Sequence, residues 1–183
     1  MGSSKVSTHE DILQFHCPRF EELPDLDLYM DQVLQVLDTH LYLFIEPGET
    51  RVMTKTMINN YVKHGIIYAP VKKKYTRYHL AYLIVVSFLK KVYSMQEISS
   101  LLQFQMISYP FERAYNYFCD ELEQCLQATF TNQPISHHPA TDEDLFAVHL
   151  IQHAIQSTVD KIYVQKSMDE VTRRILEKKE SSS

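Results

Sequence analysis

From Leu26 to Phe44 the apolar residues Leu28, Met30, Val33, Leu34, Leu37, Leu41 and Phe44 recur mostly three and four positions apart, which predicts an amphipathic helix. Pro47-Gly48 ends it with a turn. The next segment, Met53 to His64, is shorter and more sharply divided. Met57, Ile58, Tyr61 and Val62 share one side at helical spacing, while Thr56, Asn59, Asn60 and Lys63 stand on the other. Gly65 then supplies a left-handed cap. After Pro70 the run Val71 to Tyr75 is too short and too basic for a helix and suits a small β-ribbon. The stretch from Thr76 to about Val92 carries Leu80, Leu83, Ile84, Val86, Phe88 and Leu89 around much of its circumference, which predicts a helix central to the core. Ser94, with Glu97 three residues later, has the capping-box pattern. The helix that follows packs through Ile98, Leu101 and Leu102 and ends near Phe104.

Beyond Pro110 one helical stripe holds Ala114, Tyr117, Phe118, Leu122, Cys125 and Leu126 and stops by Asn132 to Pro134. Gln133 to Ala140 reads as a loop, and Thr141 caps a long helix reaching about Gln165. There Leu145, Val148, Ile151, Ile155, Val159 and Ile162 form the stripe, widened by Phe146, Leu150 and Ala154. One face cannot use all of that, so burial against a second subunit is expected. Met168, Val171 and Ile175 mark a final helix. At the other end, Met1 to Phe20 is polar, and Pro18 and Pro24 interrupt the stretch leading to Leu26. The chain thus divides into a flexible arm over residues 1–25, a helical unit with a short ribbon over 26–107, and a second helical unit over 108–183.

Charge changes this picture more than composition does. The net charge is −5, yet from Thr50 to Gln96 there is no Asp or Glu, and Arg51, Lys55, Lys63, Lys72, Lys73, Lys74, Arg77, Lys90 and Lys91 all fall in that stretch. The rest of the chain carries nine basic residues and all 23 acidic ones. Such segregation predicts a surface for a polyanion, the alternative being that these cations only neutralise the acidic flanks. Only three glycines occur, so a Gly-rich phosphate loop is excluded. No stretch approaches the roughly 18 apolar residues of a membrane span, and Met1 to Glu10 lacks a secretory signal's apolar segment. A cytoplasmic protein without membrane contact is expected.

A helix that reads the major groove needs small polar or basic side chains outward and apolar anchors behind. Met53 to His64 has that pattern: Asn59 and Asn60 suit adenine, Lys63 suits guanine or phosphate, and Thr56 suits phosphate or a thymine methyl. Lys55, Lys72, Lys73, Lys74, Tyr75 and Arg77 complete the expected double-stranded DNA-binding set, with a wing placing the lysines beside the phosphate backbone.

The run Val62-Lys63-His64-Gly65-Ile66-Ile67, then Pro70, Tyr75, Leu80 and Leu83, then Ser94-Met95-Gln96-Glu97-Ile98 with Leu101-Leu102, resembles the winged helix-turn-helix of the MerR family over roughly Leu28 to Phe104. Asn59 and Asn60 replace the Arg and first Tyr of that family's pattern, and a lysine replaces the glycine that opens its wing. More closely, Met53-Thr-Lys-Thr-Met-Ile-Asn-Asn-Tyr-Val-Lys and Lys-Lys-Lys-Tyr-Thr-Arg resemble a YkrK-like bacterial family known as a domain of unknown function of DUF1836 type. The resemblance implies a mainly α winged helix-turn-helix with a small β-wing, followed by a C-terminal helical dimerisation or effector region. It also implies a dimeric repressor or regulator in which Lys73 and Tyr75 touch backbone phosphates. The rival expectation is a helical protein-interaction adaptor with a basic docking surface.

Other chemistry finds little footing. His149 and His153 lie four apart, near Asp142 or Asp144 in sequence, and His137-His138 precede them, but two histidines are a weak metal signal and none is expected. Cys17, Cys119 and Cys125 lack CxxC spacing and read as reduced core thiols. No nucleophile-elbow, HExxH or paired-carboxylate motif occurs, so neither enzyme activity nor a cofactor is expected. Tyr109, Phe111, Tyr115, Tyr117 and Phe118 could line an effector pocket, although core packing explains them more readily.

Overall fold

A computed structural model describes residues 9–139 and 144–181. Among these residues the chain forms seven α-helices: α1 (His9–Leu13), α2 (Met30–Leu41), α3 (Lys55–Lys63), α4 (Arg77–Leu89), α5 (Met95–Ser108), α6 (Phe111–Phe130) and α7 (Leu145–Glu180). Single 3-10 turns occur at Phe20–Glu22 and Tyr42–Phe44. Helix α4 lies at the centre, packed by α2, α6 and α7, and each of its residues from His79 to Leu89 is buried. One contiguous apolar cluster runs from Ile12 to Ile162. None of the described helices is long and apolar enough to cross a membrane.

Local signals account for most of the helix ends. The Ser94 hydroxyl accepts from the Glu97 N–H at 3.3 Å, and the Glu97 carboxylate accepts from the Ser94 N–H at 2.7 Å. The capping box is therefore reciprocal. Ser94→Ala should lower stability by about 1 kcal/mol, measured as a shift in the urea midpoint at unchanged m-value. Asp144 accepts from the Ala147 N–H at 3.0 Å and caps α7, whereas Thr141, the expected cap, lies outside the described residues. Helix α7 also runs unbroken past Gln165, where a second helix was expected. No glycine or proline interrupts it, and Glu170 pairs with Arg173 and Arg174 across successive turns.

One expectation is corrected. The winged helix-turn-helix with a β-wing is absent: no strand forms among the described residues, and only isolated bridges join Leu28 to Tyr75 and Val71 to Lys74. A ribbon beyond Val71–Lys74 would need the backbone of Tyr75 and Thr76. Tyr75 instead exchanges two 2.8 Å hydrogen bonds with Leu28, and the Thr76 N–H is taken by His79 Nδ1 at 2.9 Å as α4 begins. Helix capping thus captures the donor that the next rung would use.

Residues 1–8 of the expected arm lie outside the described residues, and its part from His9 to Asp25 packs against the helices. Ile12, Cys17, Phe20 and Leu23 are buried, and residues 16–20 are held against α6. The Arg19 guanidinium grips Glu123 with bonds of 2.7 and 3.1 Å and reaches Asp120 at 2.7 Å. The Cys17 and Phe20 N–H groups donate to Glu123 and Asn116, and the Tyr115 hydroxyl donates to Pro18 O. Burial alone would raise the Glu123 pKa, but Arg19 and the Cys17 N–H hold it below the ordinary value.

Candidate nucleic-acid interface

Helix α3 is fixed at both ends. The Thr54 hydroxyl accepts from the Met57 N–H at 3.2 Å. At the far end Gly65 has φ +68°, its N–H donates to Val62 O, and the Ile66 N–H reaches back to Tyr61 O, both at 3.0 Å. This Schellman closure is sealed by buried Tyr61 and Ile66. With Ile58 and Tyr61 anchored inward, Lys55, Thr56, Asn59, Asn60 and Lys63 face solvent. The expected division of the helix is therefore present.

Downstream, Lys72 and Lys73 have φ 49° and 63°. Two consecutive left-handed residues make a mirror-image tight turn, the kind that usually calls for Asn-Gly or Gly-Gly. Lysine there costs about 1–2 kcal/mol per residue relative to glycine. The Lys74 N–H closes the turn on Val71 O at 2.9 Å. Lys72 and Lys73 project from it into solvent.

Three contacts bring these pieces to one place. Lys55 Nζ lies 2.7 Å from the Asp31 carboxylate, Lys74 Nζ sits 5.7 Å from the centre of the Tyr29 ring, and the Tyr75 backbone pairs with Leu28. The first turn of α3 and the lysine turn therefore flank the same end of α2. Helix α4 begins two residues beyond Tyr75, so the N-termini of α2, α3 and α4 all open on this region. Each contributes partial positive charge. Against the cations stand Asp25, Asp27 and Asp31, all exposed.

Folding divides the basic block into two groups. Arg51 pairs with Asp38 at 2.9 Å, Arg77 approaches Asp25 at 3.5 Å while lying over the Phe20 ring, and Lys91 pairs with Glu46 and donates to Phe44 O at 2.8 Å. The Lys91 side chain is only 2% exposed, and burial next to Lys91 lowers the Lys90 pKa. These residues do neutralise acidic flanks. Lys63, Lys72 and Lys73 have no ion-pair partner among the described residues. Tyr75 is 4% exposed, with its ring against His79 and burial raising its pKa, so it anchors the turn from beneath. Its expected phosphate contact has no surface to act from.

The other candidates are scattered. His149 and His153 are exposed on α7, Asp144 is occupied as a cap, and Asp142 lies outside the described residues. The three cysteines are free and buried, with Cys17 and Cys119 sulfurs 3.2 Å apart, and burial pushes the Cys17 thiol well above its ordinary pKa. Among the aromatic series, Tyr115 and Phe118 are core residues and Phe111 packs on Tyr82. Only Tyr109 and Tyr117 of that series line a cavity of about 290 Å³, together with Gln105, Arg113, Val148 and Ile151.

No curated protein and no solved structure matches the chain. A family model described as a domain of unknown function (DUF1836) matches residues 18–118, from the segment tied down by Arg19 to the middle of α6. That span contains α2, α3, the lysine turn and α4, and the chain belongs to the DUF1836 family.

Proposed function

We propose that the protein is a transcriptional regulator, a dimeric repressor, that binds double-stranded DNA through the outer face of α3 and the lysine turn. The observation that carries this reading is the meeting of the two at the start of α2, held by the Lys55–Asp31 and Lys74–Tyr29 contacts. A nine-residue helix is about 13 Å long, enough to present two turns of side chains to a major groove about 12 Å wide. Asn59, Asn60 and Thr56 would meet base edges. Lys63, Lys72 and Lys73 would meet phosphates, since they are exposed on this face and carry no ion pair among the described residues. Keeping lysine rather than glycine in a left-handed turn favours charge over conformational ease.

The dimer would form along the distal half of α7. Val164, Met168, Val171 and Ile175 are 51, 46, 42 and 50% exposed and follow one another by four, three and four residues, the spacing of a coiled-coil seam. A second copy presents the same stripe, so the surface is self-complementary. A strict monomer by light scattering, both free and on DNA, would remove this part of the reading.

The decisive experiment is fluorescence anisotropy of a labelled duplex library at about 50 and 200 mM salt, the range over which phosphate contacts lose affinity steeply. Affinity should fall log-linearly with salt. Absence of binding at the lower salt would overturn the proposal. A second reading, an adaptor for an acidic protein, is favoured by Leu26, Tyr29 and Val71, which are exposed beside the lysines. Duplex DNA fails to compete in that case.

A further inference from the structure

The geometry points to a binding site for a divalent transition-metal ion of the zinc type formed by Glu121, Cys125 and His137, on the side of α6 that the 133–139 loop covers. Glu121 and Cys125 are one turn apart on α6 and both are buried, the Glu121 side chain completely. The loop folds back to set His137 against them. The donor atoms of all three lie within 4.8 Å of one another.

The arrangement around the carboxylate carries the inference. Glu121 Oε2 accepts from the His138 N–H at 3.0 Å, which fixes the orientation of the group. The other oxygen, Oε1, receives both remaining partners: Cys125 Sγ at 3.7 Å and His137 Nδ1 in direct contact. Two side chains of ligand type thus converge on one oxygen of a buried carboxylate. A tetrahedral zinc ion, with bonds of about 2.0–2.3 Å, places its ligand atoms about 3.3–3.6 Å apart, and the 3.7 Å sulfur–oxygen separation lies about 0.1 Å beyond that range. Modest rotation of the His137 ring away from Oε1 opens the centre.

The charge and proton balance also suits a dipositive ion. Binding replaces the proton on Cys125 sulfur, while His137 coordinates through Nδ1 with its proton on Nε2, so one proton leaves to solvent. Thiolate and carboxylate then cancel the ion's two charges, leaving a neutral buried centre, where a buried carboxylate otherwise needs a partner to offset its desolvation. Asp160 on α7 adds negative potential at the Cys125 sulfur. Mixed sulfur, nitrogen and oxygen donors select zinc or cobalt over magnesium or calcium. Three protein ligands leave a fourth position, which the partly exposed His137 opens to water.

The loop is supported as a ligand-bearing loop requires. Tyr117 OH donates to His138 O at 3.3 Å and accepts from Gln152 Nε2 at 2.7 Å, so α6 and α7 both brace the residue whose N–H orients Glu121.

The test is titration of the full reduced chain with Co²⁺, read by thiolate-to-cobalt charge-transfer absorption. One ion per chain with that band is expected. Cys125→Ser should abolish the band, and His137→Ala should weaken binding by more than the roughly 10–100-fold typical of losing an outer partner. Because His137 is partly exposed, its replacement preserves the fold, which circular dichroism verifies. A variant lacking His149 and His153 should bind as the native chain does. No charge-transfer band, a band that survives Cys125→Ser, or unchanged affinity in His137→Ala would each overturn the site.

Discussion

Replacing Lys63, Lys72 and Lys73 together with alanine is expected to weaken duplex binding by roughly 100–1,000-fold at about 0.1 M salt and to reduce the slope of log K against log salt by about 2.7. Both figures follow from about 0.9 for each phosphate that is no longer neutralised. The three lysines are exposed and carry no ion pair among the described residues, so the fold should not change with them. Thermal melting of the variant checks that. Asn59→Ala and Asn60→Ala should behave differently. They remove base readout, so discrimination between duplexes narrows, by about 1–3 kcal/mol for each bidentate pair removed, while the salt slope stays near that of the native chain. A triple variant with the native salt slope would mean that DNA, if bound, is held elsewhere.

The largest stability effect is expected from Phe88→Ala, about 3–5 kcal/mol in urea unfolding. Phe88 is fully buried on α4, and its ring lies 4.8 Å from Phe44, 6.1 Å from Phe15 and 6.3 Å from Phe118. Those neighbours belong to the 3-10 turn after α2, the segment after α1, and α6. The cavity would therefore open where three separate stretches meet, and relaxation could fill little of it. Phe146→Ala, at an exposed position, is the natural control and should stay within about 0.5 kcal/mol. A loss below about 1 kcal/mol at Phe88 would contradict the packing described for α4.

What is legible in the sequence is what short-range physics decides. The apolar circumference of 76–92, the Ser94–Glu97 box, the two-sided Met53–His64 segment and the Gly65 cap all depend on residues within five positions of one another. They are found in the structure nearly as the pattern predicts. The ribbon fails because a competing local signal, Thr76 with His79 three residues on, starts a helix there, and because Leu28, far upstream, claims the Tyr75 backbone. The docking of residues 9–25 is illegible for a different reason. Arg19 meets Asp120 and Glu123 across about a hundred positions, and nothing in the local composition announces such a partner.

The candidate interface shows the same division. Which side chains of α3 face outward is readable from period alone. Which lysines remain unpaired is not, since Arg51, Arg77 and Lys91 find acids at Asp38, Asp25 and Glu46, outside the acid-free stretch that contains them. Tyr75 escapes a sequence reading because strand-like alternation says which residues share a face but not which face is covered. Glu121 and Cys125 show their i, i+4 relation openly, but His137 joins them only through the fold of the loop.

Helix α7 has 36 residues and is therefore about 54 Å long, while its buried positions end at Ile162. Past Ile162, Tyr163 still packs on His9 and Phe130, and Gln165 bonds to Glu46. The last 14 residues of the helix, about 21 Å, form a cantilever, rooted against α4, α5 and α6 and braced by Glu170, Arg173, Arg174 and Glu177. A beam without glycine or proline transmits displacement rather than absorbing it. Whatever grasps the far end pulls on a lever rooted beside α4, α5 and α6.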